Sequence, residues 1–438
     1  MSWWWDGALC YQSGRRLRLT GGAVIASGPM RILFVLPELP SPPYTAAQAR
    51  SLTLLRAAAR SHEVAALGAA PDDADLSLVQ ELTSELLVAP AAEAEPVRRR
   101  TLAAGRRLVS PVPLVSAGRS RVVAALIDEL VGRWTPDAML GETLYAAHYR
   151  LPDVPLIVDL PEVPSGLCES AAAAHPLRYL PANLQAATSR RYERRLLSGA
   201  VTMTINDGDR ERLATLGVES YTVPLAVDIP PEDAIYERAA VARHDVAARL
   251  LFVGSFVHAN NRDAARWLVD KLAPELREQR VPFAMVIAGL RAPAWLRKAA
   301  GAGVTVLSDA PDLEPLYRSA DMVLAPLPHG GATKTKTLEA MAWGLTVLGT
   351  PQAFVGLPQL DGEAFVVDSL LEPPRIARRI AALRDQPELR LHLGLTARRY
   401  VAAAHAPELV EARAAALFDA VASGGGVAEA EKLARGEG

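Results

Sequence analysis

From Met30 onward, the chain alternates short apolar runs with longer stretches in which apolar residues recur at helical spacing. The runs MRILFVLPEL at 30–39, His62 to Leu67, Glu85 to Ala89, Ala138–Gly141, Pro155–Asp159, Gly199–Ile205 and Tyr221–Pro224 predict strands. Helices are expected at Ala46 to Arg60, Arg119–Arg133, Pro181–Leu197 and Asp207–Leu216. Residues 225–248, with Pro230-Pro231 and scattered charge, read as a connector. A second series follows, with strands expected at 249–256, 283–289, 304–307, 321–327, 345–349 and 364–368 and helices between most of them. Continuous apolar strands separated by helices predict parallel sheets covered on both faces. The expected class is α/β, with two doubly wound Rossmann-like domains facing a cleft. The first spans 30–228 and the second 229–405. A helix over 406–423 is expected to pack back toward the first domain, and a Gly-rich tail, 424–438, to stay loose. Residues 1–29 read as an irregular extension. Their Trp cluster precedes a basic cluster, the reverse of a signal peptide, and a Trp-rich anchor is the alternative reading.

The densest candidate chemistry lies in DMVLAPLPHGGATKTKTLEAMAWGLTVLGTP at 321–351. Strand, Gly-bearing loop, helix from Thr333 to Trp343, stop at Gly344 and a new strand make a βαβ unit. Such a unit aims a helix N-terminus beyond the strand ends, where free amides and the dipole attract phosphate. Lys334 and Lys336 stand in a first turn that by itself prefers acidic residues. Glu339 lies one turn past Lys336 on the same face, placed to accept hydrogen bonds from ribose hydroxyls. The alternative is a surface helix with ordinary charges.

Composition narrows the classes. A formal charge of −2 argues against general nucleic-acid binding. Cys10 and Cys168 make no disulfide framework or zinc cluster, which predicts a reducing, cytoplasmic setting. No apolar run is long enough to span a membrane. VRRRTLAAGRRLVSPVPLV, with five arginines, reads as a solvated helix or as a basic patch for lipid head groups at the inner membrane surface. The acids at Asp73–Asp75 read as a helix start rather than a metal site. His148 and His175 read as ordinary loop or helix histidines, with an acceptor-side role as the alternative. Asp159 and Glu162 end a strand, where they either face the cleft and orient an acceptor or form a cap or turn.

GGATKTKTLEAMAWGLTVLGT resembles the donor-site signature of retaining glycosyltransferases of family-four type with the GT-B fold, and is similar to bacterial exopolysaccharide and natural-product sugar transferases. GSFVHANNRDAARWL and GVTVLSDAPDLEPLYRSADMVLAPL agree in order, and so, in the first half, do PELPSPPYTAAQARSLTLLRAAARSHEV, VDLPEV and SRRYERRLL. The resemblance covers about 30–421. It implies a nucleoside-diphosphate-sugar donor held by Gly254, Ser255, His258, Asn261, Gly331, Thr333, Lys334, Lys336 and Glu339. Tyr44, Arg50 and Glu162 fall on the acceptor side, and Lys336 and Asp159 are the catalytic candidates. The resemblance implies no metal and no cofactor, and a glycan, lipid-linked or small-molecule acceptor. Three departures stand out. Gly331 replaces a glutamate frequent in the family, the Tyr44–Ala47 loop lacks glycines, and Ser255 stands where arginine is common. A non-catalytic or epimerase-like protein that binds a nucleotide sugar is the alternative function.

Overall fold

The computed structural model describes residues 28–42, 44–90, 120–174, 180–235, 247–358, 362–368 and 371–436. Most of the N-terminal extension, the arginine-rich stretch, His175 and much of the connector lie outside the described residues. The chain forms two parallel sheets. The first runs in the order β3-β2-β1-β4-β5-β6-β7. Its strands are β1 Arg31–Glu38, β2 Glu63–Ala70, β3 Glu85–Pro90, β4 Ala138–Glu142, β5 Leu156–Leu160, β6 Val201–Thr204 and β7 Ser220–Thr222. The second runs in the order β10-β9-β8-β11-β12-β13. It comprises β8 Ala248–Val253, β9 Phe283–Gly289, β10 Val304–Ser308, β11 Met322–Ala325, β12 Thr346–Gly349 and β13 Val366–Val367. Strand order reverses between β1 and β4 and between β8 and β11, and ligands of such sheets bind beyond the strand ends at those switch points.

The central strands are apolar along their length because helices cover both faces. Ile32 to Val35 of β1 and Met322 to Ala325 of β11 are buried, and full burial of each large aliphatic side chain contributes roughly 1.5–3 kcal/mol. Helix α1, Ala46–Ala59, begins with a reciprocal cap between Thr45 and Gln48. Ala46 and Ala47, the end of the glycine-free Tyr44–Ala47 stretch, form the first turn of that helix, which starts at Ala46 as its sequence predicts. Helix α2, Pro164–Ala174, has no counterpart among the expected elements, and helix α3 spans Leu180–Leu196. Asn206 caps α4, Asp207–Thr215, by accepting from the Asp209 amide. Asp75 accepts from the Ser77 amide at 3.1 Å and starts the short Ser77–Leu82 helix, in line with the helix-start reading of the Asp73–Asp75 acids.

The last helices tie the lobes together. Helix α5, Pro387–His405, packs in the second lobe, and the Val227 amide donates to the His405 carbonyl at 3.0 Å. Helix α6, Pro407–Ala422, returns to the first lobe, where Phe418 meets Phe34 edge to face at 6.3 Å and joins the core under β1. The segment expected to be a loose tail instead forms helix α7, Val427–Ala434, with Val427 and Ala430 buried in that core. Among the described residues, no helix is long and apolar enough to cross a membrane.

Candidate active site between the lobes

Two segments bring the second lobe's candidate residues together. After β8 the chain turns through Gly254 and Ser255 into a helix at Ala259–Trp267, with His258 at its N-cap position. After β11 it runs through a Gly-rich loop into the helix Thr335–Ala342. That helix begins later than its sequence predicts, so Thr333 lies in the loop and Lys334 is the N-cap. Gly344, at φ +60°, ends it.

Lys336 reaches back across the sheet edge. Its ammonium donates to Asn261 Oδ1 and lies 4.9 Å from the centre of the Phe252 ring. Asn261, itself buried, donates from Nδ2 to the Ser255 carbonyl at 2.7 Å, which fixes the amide with its oxygen toward the lysine. Gly254 leaves the room this needs, since a Cβ there would stand 2.8 Å from Lys336 Nζ. Gly289 is needed for a related reason. A Cβ on it would stand 1.9 Å from the Gly254 carbonyl oxygen, so β9 approaches the loop only without a side chain. Burial pushes the Lys336 ammonium down to about 7, and neighbouring Lys334 acts in the same direction, while Glu339 opposes both.

Glu339 accepts from the Tyr317 hydroxyl at 2.8 Å. Tyr317 comes from the short helix Glu314–Ser319, is buried, and stacks on Trp343 with ring centres 6.4 Å apart. Burial raises the Glu339 carboxyl, with Tyr317 and Lys336 partly offsetting it. Asp312, just ahead of that helix, accepts from the Glu314 amide at 2.9 Å.

The loop before the lysines meets the first lobe. Ser170 of α2 accepts from the Gly330 amide at 3.0 Å and donates to its carbonyl at 3.2 Å. Gly331 faces the backbone of Gly166 and Leu167, where a Cβ would have neighbours at 3.4–3.6 Å. The place that holds a glutamate in the related signature is here a lobe-to-lobe backbone contact. Lys334 donates to the Ala332 carbonyl; burial lowers it, while Glu162 and Asp209 of the first lobe favour its charged form. Glu162 is thus close enough to Lys334 for the two charges to interact. Thr333 is buried with no hydrogen-bond partner for its hydroxyl, beside Asn206 and Gly356.

Two first-lobe candidates turn out differently. Asp159 is fully buried and its carboxylate takes two hydrogen bonds from Arg50 Nε, at 3.0 and 3.3 Å, and one from Nη2 at 2.7 Å. Arg50 spends Nη1 on the Val223 and Pro224 carbonyls, each at 2.8 Å. The pair locks α1 to β5 and to the end of β7, so neither group is presented to an acceptor. Tyr44 is exposed ahead of the α1 cap. His258 is likewise exposed and makes no side-chain cap bond. Sequence reasoning missed Tyr317, Ser170 and Asn206. Asn206 carries a readable cap pattern before Asp207, but the partners of Tyr317 and Ser170 are remote in sequence. Among the described residues, no group of three His, Cys, Asp or Glu side chains is placed to hold a metal ion.

Residues 247–386 match the model of the family described as glycosyl transferases group 1. No curated protein sequence matches the chain. Among solved structures, Anabaena HepE, solved with UDP and glucose, is 13% identical at a TM-score of 0.59, over 87% of this chain and 97% of that one. Sucrose-phosphate synthase from Thermosynechococcus elongatus is 14% identical at 0.64, over 89% and 99%. WaaG, a glycosyltransferase involved in lipopolysaccharide biosynthesis, is 17% identical at 0.57, over 87% and 98%. Fold and family model together define a glycosyltransferase of the GT-B fold. Its second lobe, over 247–386, is the part that carries the group 1 match.

Proposed function

We propose that the protein transfers a sugar from a nucleoside-diphosphate sugar to a hydroxyl of a glycan, lipid-linked or small-molecule acceptor, with retention at the anomeric carbon. The observation that carries this reading is the Lys336–Asn261 and Glu339–Tyr317 arrangement on one helix at the second sheet's switch point, opposite Glu162. HepE, of the same fold, was solved with UDP-glucose, which fits such a donor. Lys334, Lys336 and the N-terminal turn of Thr335–Ala342 meet the diphosphate, and Glu339 meets the ribose. The Thr333 hydroxyl supplies a further unsatisfied group on the same side.

The bond from the anomeric carbon to the diphosphate oxygen breaks as the acceptor oxygen bonds that carbon. The acceptor proton leaves with the diphosphate. Fixed positive groups then act where negative charge grows, without reorganising. Retention is supported by the likeness of GGATKTKTLEAMAWG to the retaining signature. The test is a melting screen with UDP, GDP, ADP and dTDP, followed by a donor screen read as diphosphate release with and without cell extract. At least one diphosphate raises the melting temperature. If none does, the donor site is wrong; if one does but no donor is consumed with any acceptor, the non-catalytic reading replaces transfer.

A further inference from the structure

A cavity of about 530 Å³ lies not at Lys336 but on the first lobe, between α2, α3 and α4. Ser165, Glu169, Arg190, Arg191, Arg194 and Arg212 line its polar side. We propose that this cavity is a second anion site, distinct from the donor cleft, that takes a phosphate group.

Its charge is lopsided, with four guanidinium groups against the single carboxylate of Glu169. Glu169 is already shared, because both Arg190 and Arg212 donate to it. Glu193, the acid on α3, is buried and accepts from the Ser165 amide at 2.7 Å and from its hydroxyl at 2.8 Å. Arg191 and Arg194 have no partner among the described residues. They sit three apart on α3, and Arg190 and Arg194 sit four apart, so like charges share one helix face, which destabilises a helix in isolation. A bound oxyanion relieves that repulsion, and guanidinium forks match phosphate oxygens in pairs. The volume is that of an ordinary small-ligand site.

The position of the cavity also has a consequence for the cleft. Arg212 packs over Gly166, where a Cβ would stand 2.9 Å from Nε. The other side of the same α2 turn faces Gly331, and Ser170 holds Gly330. One turn of α2 therefore separates the arginines from the donor loop. The phosphate is either free or the headgroup of an anionic lipid, since both present the same oxygens. The inference does not depend on the donor assignment.

Isothermal titration of the full chain with inorganic phosphate, beside the R191A/R194A variant and Lys336→Met, tests it. Both arginines are exposed, so the double variant is expected to fold, and its unliganded melting temperature checks this; Arg191→Gln alone replaces it if melting drops. Removing these charge-assisted bonds is expected to weaken phosphate binding by about tenfold or more. Nucleoside-diphosphate binding stays unchanged, and Lys336→Met retains the phosphate site. Co-sedimentation with phosphatidic-acid vesicles distinguishes the sources. Pelleting that is lost in the double variant and competed by free phosphate assigns a lipid headgroup, and titration without pelleting assigns a soluble phosphate. Equal phosphate affinity in wild type and R191A/R194A, loss only with Lys336→Met, or no binding of either probe overturns the proposal.

Discussion

Both lobes hold a charged cluster at the end of a parallel sheet, and the two clusters are finished differently. In the first lobe, Arg50 and Asp159 are 2% and 0% exposed in their side chains and satisfy each other. Arg50 uses its remaining donors on backbone carbonyls, and beside it Ser51 donates to Glu142 at 2.8 Å. In the second lobe, Lys336 donates to a neutral amide and Glu339 accepts from a neutral phenol, and both side chains are only half-buried. A closed ion pair holds elements together, whereas a cation and an anion parked on neutral partners retain attraction for a ligand. Paired charge fits a structural role for the first cluster, and charge held on neutral partners fits the donor site proposed for the second.

The sharpest way to break this contrast is to remove Arg50. Arg50→Met leaves Asp159 buried and uncompensated, at an expected cost of about 3–5 kcal/mol of folding stability. Urea denaturation would read it, and adding Asp159→Leu should recover much of the loss. A small loss of stability, with weakened use of an acceptor at unchanged nucleotide affinity, would return Arg50 to the acceptor side. Lys336→Met should do the opposite. Nucleoside-diphosphate affinity is expected to fall about thirtyfold, roughly 2 kcal/mol, while the urea midpoint holds or rises.

A third effect follows from protonation. Burial holds the free Lys336 near 7, below its ordinary value, and a bound diphosphate must raise it. Binding then takes up a proton. Affinity is full below about pH 7 and weakens as pH rises, by at most about tenfold per unit until the bound form's own value is reached. The folding sign is consistent with this. A lysine depressed in the folded state costs stability at low pH, and that cost fades as pH rises from its folded toward its unfolded value. Calorimetric titrations at pH 6.5, 7.5 and 8.5 in two buffers would read the uptake, and Lys336→Arg should flatten the trend. Equal affinities across that range for the wild type would mean that the lysine does not meet the diphosphate.

The contrast also explains what the sequence made legible. Lys336 and Glu339 could be read because their three-residue spacing, the preceding glycines and the following strand are all local. Arg50 and Asp159 are separated by 109 residues, and a charged residue at a strand end looks the same whether it faces a cleft or a neighbouring helix. Helix α2 was missed because PSGLCESAAAA opens with Pro, Ser and Gly and has little apolar periodicity; tertiary packing against α3 makes it a helix. The tail helix was missed for a similar reason. Gly424 to Gly426 read as a loose end, but Val427 and Ala430 are captured by a core already built by α6. Two parallel, doubly wound sheets follow from chain alternation, while the order of the strands and the pairing of polar groups across lobes, as at Ser170 and Gly330, depend on coordinates.

The smallest effect concerns how an unpaired acid is kept in place. Tyr317 binds only one oxygen of Glu339, Oε2, and the stack on Trp343 fixes the phenol. Tyr317→Phe keeps the ring and the stack but frees the carboxylate to rotate. One hydrogen bond to a charged group is lost, so binding of a nucleoside diphosphate should weaken about three- to tenfold. Inorganic pyrophosphate has no ribose and should bind the variant as it binds the wild type at the Lys336 tip. Comparing the two ligands by titration separates orientation of Glu339 from general disturbance of the loop. If both weaken equally, Tyr317 supports the loop and Glu339 needs no orienting partner, and the open character of the second cluster would then rest on Lys336 and Asn261 alone.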